Sequence, residues 1–190
     1  MVRTSSTMLL PLGTKAPAFQ LPDPSGKFHG TADATDTTAL LVMFICNHCP
    51  YVRLISAELA AFGRDYAPKG VAIFAVNSNN AEAYPDDSPE MMRTEIRETG
   101  YTFPYLIDEN QEVAKAYHAA CTPDFFLFNG EQKLVYRGQF DDARPSNGIP
   151  PTGKDLRAAL DAVLSGTPLP TSQRPSLGCN IKWRPKNEQQ

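Results

Sequence analysis

The sequence predicts an α/β domain with a mixed central sheet, helices on both faces and an N-terminal extension. Three observations predict it. The apolar run from Ala39 to Ile45 is followed by an amphipathic stretch and a second apolar run from Val71 to Val76. Two buried strands joined by a helix read as a parallel βαβ unit. Later, Asp124-Phe125-Phe126-Leu127-Phe128 and the stretch from Leu134 to Phe140 flank Asn129-Gly130, the pattern of an antiparallel hairpin, so the sheet is mixed.

Taken in order, residues 1–16 carry no sustained periodicity. Ala16-Pro17-Ala18-Phe19-Gln20-Leu21-Pro22 reads as a short edge strand that enters a turn at Pro24-Ser25-Gly26. The run from Ala39 suits a strand buried on both faces and ends at Cys46. After Pro50, which fits a first helical turn, Val52, Ile55, Leu59, Phe62 and Tyr66 fall on one helix face, and Lys69-Gly70 ends the helix. Residues 77–89 form a polar loop. Ser88 then caps a helix through Met91, Met92 and Ile96, with Gly100 as its stop.

Phe103-Pro104-Tyr105-Leu106-Ile107 predicts a short strand, and Val113 to Ala119 a further helix. Leu156, Leu160, Val163 and Leu164 define a last helix that stops at Gly166. Beyond it a proline-rich tail is expected to run extended over the surface. The order β-α-β-α-β-α-β-β-α is that of a thioredoxin-like three-layer α/β/α sandwich. We expect one domain over residues 1–190, with a core at about 14–166 and a tail at 167–190.

Bulk properties exclude some classes. Apolar residues make up 42% and charged residues 21% of the 190, an ordinary globular composition rather than that of a disordered chain. A net charge of -3 offers no basic stripe for phosphates, so nucleic acid is excluded as an expected partner. Met8-Leu9-Leu10-Pro11-Leu12 is too short for a signal-peptide core, and no run reaches membrane-spanning length. The expectation is a cytoplasmic protein without a membrane partner.

Four cysteines are too few for a disulfide scaffold of this size, which leaves redox or metal chemistry. Cys46-Asn47-His48-Cys49-Pro50 stands where a buried strand passes into a helix, the context in which Cys-x-x-Cys reads as a redox pair. The helix N-terminus favours a thiolate. A dipole worth roughly 0.3–1 kcal/mol moves a thiol by less than about one pH unit, because one unit is about 1.4 kcal/mol. His48 is the candidate second contributor, Cys46 the attacking thiol and Cys49 the resolving one.

Thr122-Pro123, before the strand from Asp124, suits a cis peptide that brings backbone groups beside the dithiol. Cys121 reads as a small buried residue, with a third redox thiol as the alternative. Cys179 is expected to fill space in a mobile or draped tail anchored by Ile181 and Trp183, the alternative being a resolving or metal-completing thiol. Asp86, Asp87 and Glu90, and the pair Asp141 and Asp142, are expected to be solvated loops and caps, not metal ligands. No cofactor or metal is expected.

Cys46-Asn47-His48-Cys49-Pro50-Tyr51-Val52, Thr122-Pro123-Asp124-Phe125-Phe126-Leu127-Phe128 and Gly178-Cys179-Asn180-Ile181-Lys182-Trp183 together resemble a bacterial family, the peroxiredoxin-like branch of thioredoxin-fold proteins. Its members are named thioredoxin-like, or alkyl hydroperoxide reductase and thiol-specific antioxidant proteins. The resemblance spans about residues 14–185 and implies the thioredoxin fold. It implies that Cys46 and Cys49 match the thioredoxin dithiol, Pro123 the cis-proline, and His48 the histidine before the second cysteine of strongly oxidising relatives.

Two departures stand out. Where thioredoxins carry a buried Asp and a Trp ahead of the first cysteine, this chain has Leu40 and Ile45. Where peroxiredoxins carry a Thr, it has Cys46, and their peroxide-attacking thiolate aligns with Cys49.

The expected function is therefore thiol-disulfide exchange through a redox-active Cys46–Cys49 pair. The partners would be protein or small-molecule disulfides and an external thiol reductant. The alternatives are a thiol-dependent peroxidase acting on hydroperoxides, with Cys49 or Cys46 as the peroxidatic residue, and a non-catalytic metal-binding or thiol-sensor module.

Overall fold

The computed structural model describes residues 2–169 and 172–185. Its centre is a five-stranded mixed sheet of β4 (Ala39–Phe44), β5 (Val71–Asn77), β6 (Tyr105–Ile107), β8 (Asp124–Asn129) and β9 (Leu134–Gly138), in the order β6-β5-β4-β8-β9. β4 pairs in parallel with β5, and β5 with β6; β8 runs antiparallel to both β4 and β9. The predicted βαβ unit and hairpin are both present.

Alternation along β4 divides the core in two. Ala39, Leu41, Met43 and Ile45 face one cluster, with α1 (Pro50–Tyr66), α4 (Lys154–Ser165) and Met92 of α2 (Pro89–Thr99). Leu40, Val42 and Phe44 face the other, with Tyr117 beyond α3 (Glu112–Ala116) and Phe19 of the N-terminal extension. Both faces being covered explains why β4 is continuously apolar rather than alternating. This is the thioredoxin-like α/β arrangement. Among the described residues no helix is long and apolar enough to cross a membrane.

The ends of the chain depart from the sequence reading. Besides β2 (Gln20–Pro22), which pairs with β3 (Phe28–Gly30), the extension contains β1 (Arg3–Ser5). The tail, expected to be mobile or draped, forms β10 (Leu177–Asn180) instead. β10 lies between β1 and β7 (Cys121–Thr122) in a three-stranded antiparallel sheet. Its backbone polar groups are satisfied by pairing, so Ser176, Gly178, Cys179 and Ile181 are buried. Ile181 and Trp183 do anchor the tail, packing into the second cluster. Residues 170–171 and 186–190 of the predicted tail lie outside the described residues.

Candidate active site

The short turn between β4 and α1 presents Cys46, Asn47, His48 and Cys49. Cys49 is the N-cap of α1, with extended backbone, and Pro50 occupies the first helical position, where its missing N–H costs nothing. Asn47 fixes the turn from four sides. Its N–H donates to Asp87 Oδ1 (2.8 Å), and its side-chain amide donates to the Asp86 carbonyl (2.8 Å). Its side-chain oxygen accepts from the buried Tyr105 hydroxyl (3.0 Å), and its carbonyl accepts from Arg53 Nε (2.8 Å).

Opposite the turn, the Thr122–Pro123 peptide is cis, as expected. Thr122 touches both sulfurs: its Oγ1 is 3.2 Å from Cys46 Sγ, and its carbonyl oxygen is 3.1 Å from Cys49 Sγ. Cys179 arrives from β10, where it stands opposite Thr122 in register, and its sulfur is 3.0 Å from that of Cys49. Three of the four cysteines thus converge. The fourth, Cys121, is fully buried and directs its thiol at the Pro123 carbonyl (3.7 Å). All four are thiols.

The polar partner of His48 is a carboxylate, not a sulfur. Its Nδ1 lies 2.6 Å from Asp87 Oδ2, and its ring stacks on Tyr84 at 5.3 Å. Nε2 finds no hydrogen-bond partner among the described residues. Asp87 is the hub that sequence reasoning missed. It was expected to be a solvated loop residue, yet it is 2% exposed and accepts from His48, the Asn47 N–H and Asn79 Nδ2 (2.8 Å). Burial disfavours its charge, but these donors outweigh burial and hold its carboxyl below the usual range.

Asp141 corrects the same expectation. It too is buried, accepting from the N–H groups of Ala143, Thr152 and Gly153 at 2.6–2.8 Å. The donor atoms of Cys46, His48 and Asp87 lie within 4.8 Å of one another, but Asp87 is already satisfied by three donors without an ion.

Electrostatics divide the pair. The Cys46 thiol, the Cys179 thiol and the Val52 amide of the first turn of α1 together outweigh burial and bring Cys49 down to about 5. A hydrogen bond from the Thr122 side chain adds to this lowering. The helix dipole alone moves a thiol by less than about one pH unit, so the neighbouring thiols carry most of the effect. Cys46 is pushed well up, first by its hydrogen bond to Cys49, then by burial and by the Asp87 carboxylate. The sequence reading expects Cys46 to attack; in this arrangement the surroundings raise the Cys46 thiol and lower that of Cys49. Both sulfurs are covered, the two residues being 1% and 0% exposed, with Cys179 of β10 lying against Cys49 and Thr122 against Cys46.

The chain is similar to known proteins. The chain is 30% identical over 131 residues to the thiol-disulfide oxidoreductase ResA of Geobacillus kaustophilus, covering 67% of this chain and 70% of that protein. It is 28% identical over 116 residues to the protein named "Putative peroxiredoxin MT2597" of Mycobacterium tuberculosis, covering 61% of this chain and 68% of that protein. The crystal structure of an uncharacterized conserved protein from Geobacillus kaustophilus superposes with a TM-score of 0.94 at 54% identity, over 97% of this chain and 98% of that one. With residues 12–137 matching its family pattern, the chain belongs to the AhpC/TSA family of thioredoxin-fold proteins.

Proposed function

We propose that the protein is a thiol-disulfide oxidoreductase in which Cys46 and Cys49 cycle between dithiol and disulfide. The observation that carries this reading is the Cys46–Cys49 turn at the N-terminus of α1, with Thr122 of the cis peptide touching both sulfurs. In the reducing direction one sulfur attacks a disulfide of a protein or small molecule, forming a mixed disulfide and expelling a thiolate. The second sulfur then attacks the first, releases the reduced partner and leaves a Cys46–Cys49 disulfide. An external thiol reductant restores the pair by the same two exchanges.

The depressed Cys49 thiol makes Cys49 the sulfur that carries charge at neutral pH in the closed form. The hydrogen bond to Cys49, then burial and the Asp87 carboxylate, keep the Cys46 thiol protonated in this form. His48 is fixed by Asp87 and Tyr84 and serves to orient the turn.

The test is a redox titration against glutathione, with mass spectrometry locating the disulfide in wild type and in Cys46→Ser. A Cys46–Cys49 disulfide in equilibrium with the buffer, together with loss of disulfide reductase activity in Cys49→Ser, is the expected result. Absence of a Cys46–Cys49 disulfide from wild type at every glutathione ratio would sink the dithiol reading.

A second reading is favoured by one observation, the place of Cys49 at the N-cap of α1, where its thiol is brought down to about 5. It makes the protein a thiol peroxidase in which Cys49 attacks a hydroperoxide, giving a sulfenic acid and releasing water or an alcohol. It predicts hydroperoxide consumption far faster than that of an ordinary exposed thiol, abolished in Cys49→Ser.

A further inference from the structure

We propose that Cys179 is a third redox thiol of this site, resolving the Cys46–Cys49 disulfide by forming a Cys49–Cys179 disulfide. The inference rests on the dithiol reading above and adds a step to it.

The placement of Cys179 is not that of a residue filling space in a tail. Pairing of β10 with β1 and β7 fixes its backbone on both sides, opposite Arg3 and Thr122. Beside it, Gly178 lets β10 approach β7 so closely that a Cβ there would fall 1.9 Å from the Thr122 carbonyl oxygen. The outcome is a sulfur 3.0 Å from Cys49 Sγ, about 1 Å beyond the length of a disulfide bond, roughly 2.05 Å.

Burial holds Cys179 protonated in both forms, and the Cys49 thiolate adds to it only in the reduced one. With Cys49 as thiolate, burial, the hydrogen bond to Cys49 and the Cys49 charge push Cys179 up to about 12. Oxidation of the Cys46–Cys49 pair removes that charge, while the Lys182 ammonium, which favours a Cys179 thiolate, remains.

The step then balances without an added oxidant. Cys179 gives its proton to solvent, and its thiolate attacks the Cys49 sulfur. The Cys49–Cys179 bond forms, the Cys46–Cys49 bond breaks, and Cys46 leaves as a thiolate that takes up a proton. One disulfide replaces another, Cys46 is returned to the thiol state, and β10 becomes covalently tied to the start of α1. The external thiol reductant later opens the Cys49–Cys179 bond.

Glutathione disulfide is the probe. Wild type and Cys46→Ser are equilibrated with it, quenched and denatured in acid, alkylated while still acidic with a maleimide and mapped by mass spectrometry. In wild type we expect a Cys49–Cys179 peptide alongside the Cys46–Cys49 peptide. In Cys46→Ser we expect the Cys49–Cys179 disulfide as the main product, with at least tenfold less glutathione on Cys49 than in the Cys46→Ser, Cys179→Ser double variant.

Persistent glutathione on Cys49 of Cys46→Ser, with Cys179 still open to alkylation, overturns the proposal. If Cys46→Ser does not fold, wild type decides: Cys179 alkylated at every glutathione ratio at which Cys46–Cys49 is oxidised overturns it equally. The dithiol reading fails separately, by absence of the Cys46–Cys49 peptide from wild type while Cys49–Cys179 still forms in the variant.

Discussion

Gly178 approaches Thr122 so closely that a Cβ on the glycine would sit 1.9 Å from the Thr122 carbonyl oxygen and 2.5 Å from its carbonyl carbon. The obstacle is backbone, part of β7 and of the cis peptide, and it cannot move aside as the end of a flexible side chain can. Gly178 therefore determines whether β10 can cover the thiols.

The first prediction is that Gly178→Ala lifts β10 from β7. Overpacking of this kind costs roughly 1–3 kcal/mol. The cost falls on the three-stranded sheet rather than on the five-stranded one, so local opening should exceed global destabilisation. We expect the Cys46 and Cys49 thiols to react with a bulky aromatic disulfide at least tenfold faster than in wild type, with nearly unchanged far-ultraviolet circular dichroism. Unchanged thiol reactivity would mean that β10 is not what covers the site.

The second prediction concerns Cys49. Its folded pKa of about 5 lies below the ordinary 9.0, so its thiolate is present at neutral pH and is lost as pH falls through about 5. The linked stability runs the same way, being fully present above about pH 9 and declining as pH falls toward 5. Thiolate ultraviolet absorbance should show one step near pH 5 in wild type. Cys49→Ser should abolish that step. A step that survives in Cys49→Ser and disappears in Cys46→Ser would put the charge on the other sulfur.

The long elements were legible because they repeat a pattern locally: β4, α1, β5, α2 and α4 each carry several turns or alternations of one face. Ser88 and Gly100 do bound α2, the Ser88 hydroxyl accepting from the Met91 N–H (3.4 Å) and Gly100 adopting the left-handed conformation. β1, β7 and β10 were not legible. They have two to four residues each, too few for a period, and exist because residues 3–5 meet residues 177–179 across nearly the whole chain.

The same limit hid much of the site. Cys46, Cys49 and Pro123 announce themselves by spacing and context, whereas the approach of Cys179 to Cys49 depends on that non-local sheet. Asp87 sits in a loop of Asn, Asp and Pro that looks solvated. Only the fold brings it under the β4–α1 turn, where three donors need a carboxylate.

The third prediction follows from that hub. Asp87→Asn keeps the shape but removes the carboxylate that helps to keep Cys46 protonated. Cys46 should become more acidic, so that its thiolate step moves to lower pH and its reactivity at neutral pH rises. The replacement also mismatches a donor at a buried site where His48, Asn47 and Asn79 all donate, at a cost of roughly 1–3 kcal/mol. A thermal melt reads the second effect and a pH titration of thiolate absorbance the first. A lowered melting temperature with no change in the Cys46 titration would make Asp87 purely structural.

The fourth prediction rests on Asp124, directly after the cis proline. It is fully buried, and burial raises its carboxyl from the ordinary 3.8 to about 7 despite hydrogen bonds from Ser176, Ser6 and the Phe125 N–H. Ser6 Oγ donates at 2.9 Å and ties the N-terminal extension to this carboxyl. Because the folded pKa is raised, the stabilising contribution is complete below about pH 3.8 and is lost as pH rises through about 7. The amount is at most about 4 kcal/mol, at about 1.4 kcal/mol per pH unit.

Two neighbours sense the Asp124 charge, Cys121 and Tyr136, and both are pushed upward, away from this window. The slope between pH 4 and 7 is therefore assigned to Asp124 by comparing denaturant unfolding of wild type and Asp124→Asn across that range. The variant should lose the falling component of stability and keep the rest of the profile. Identical slopes in the two proteins would show that the Asp124 carboxyl does not titrate there.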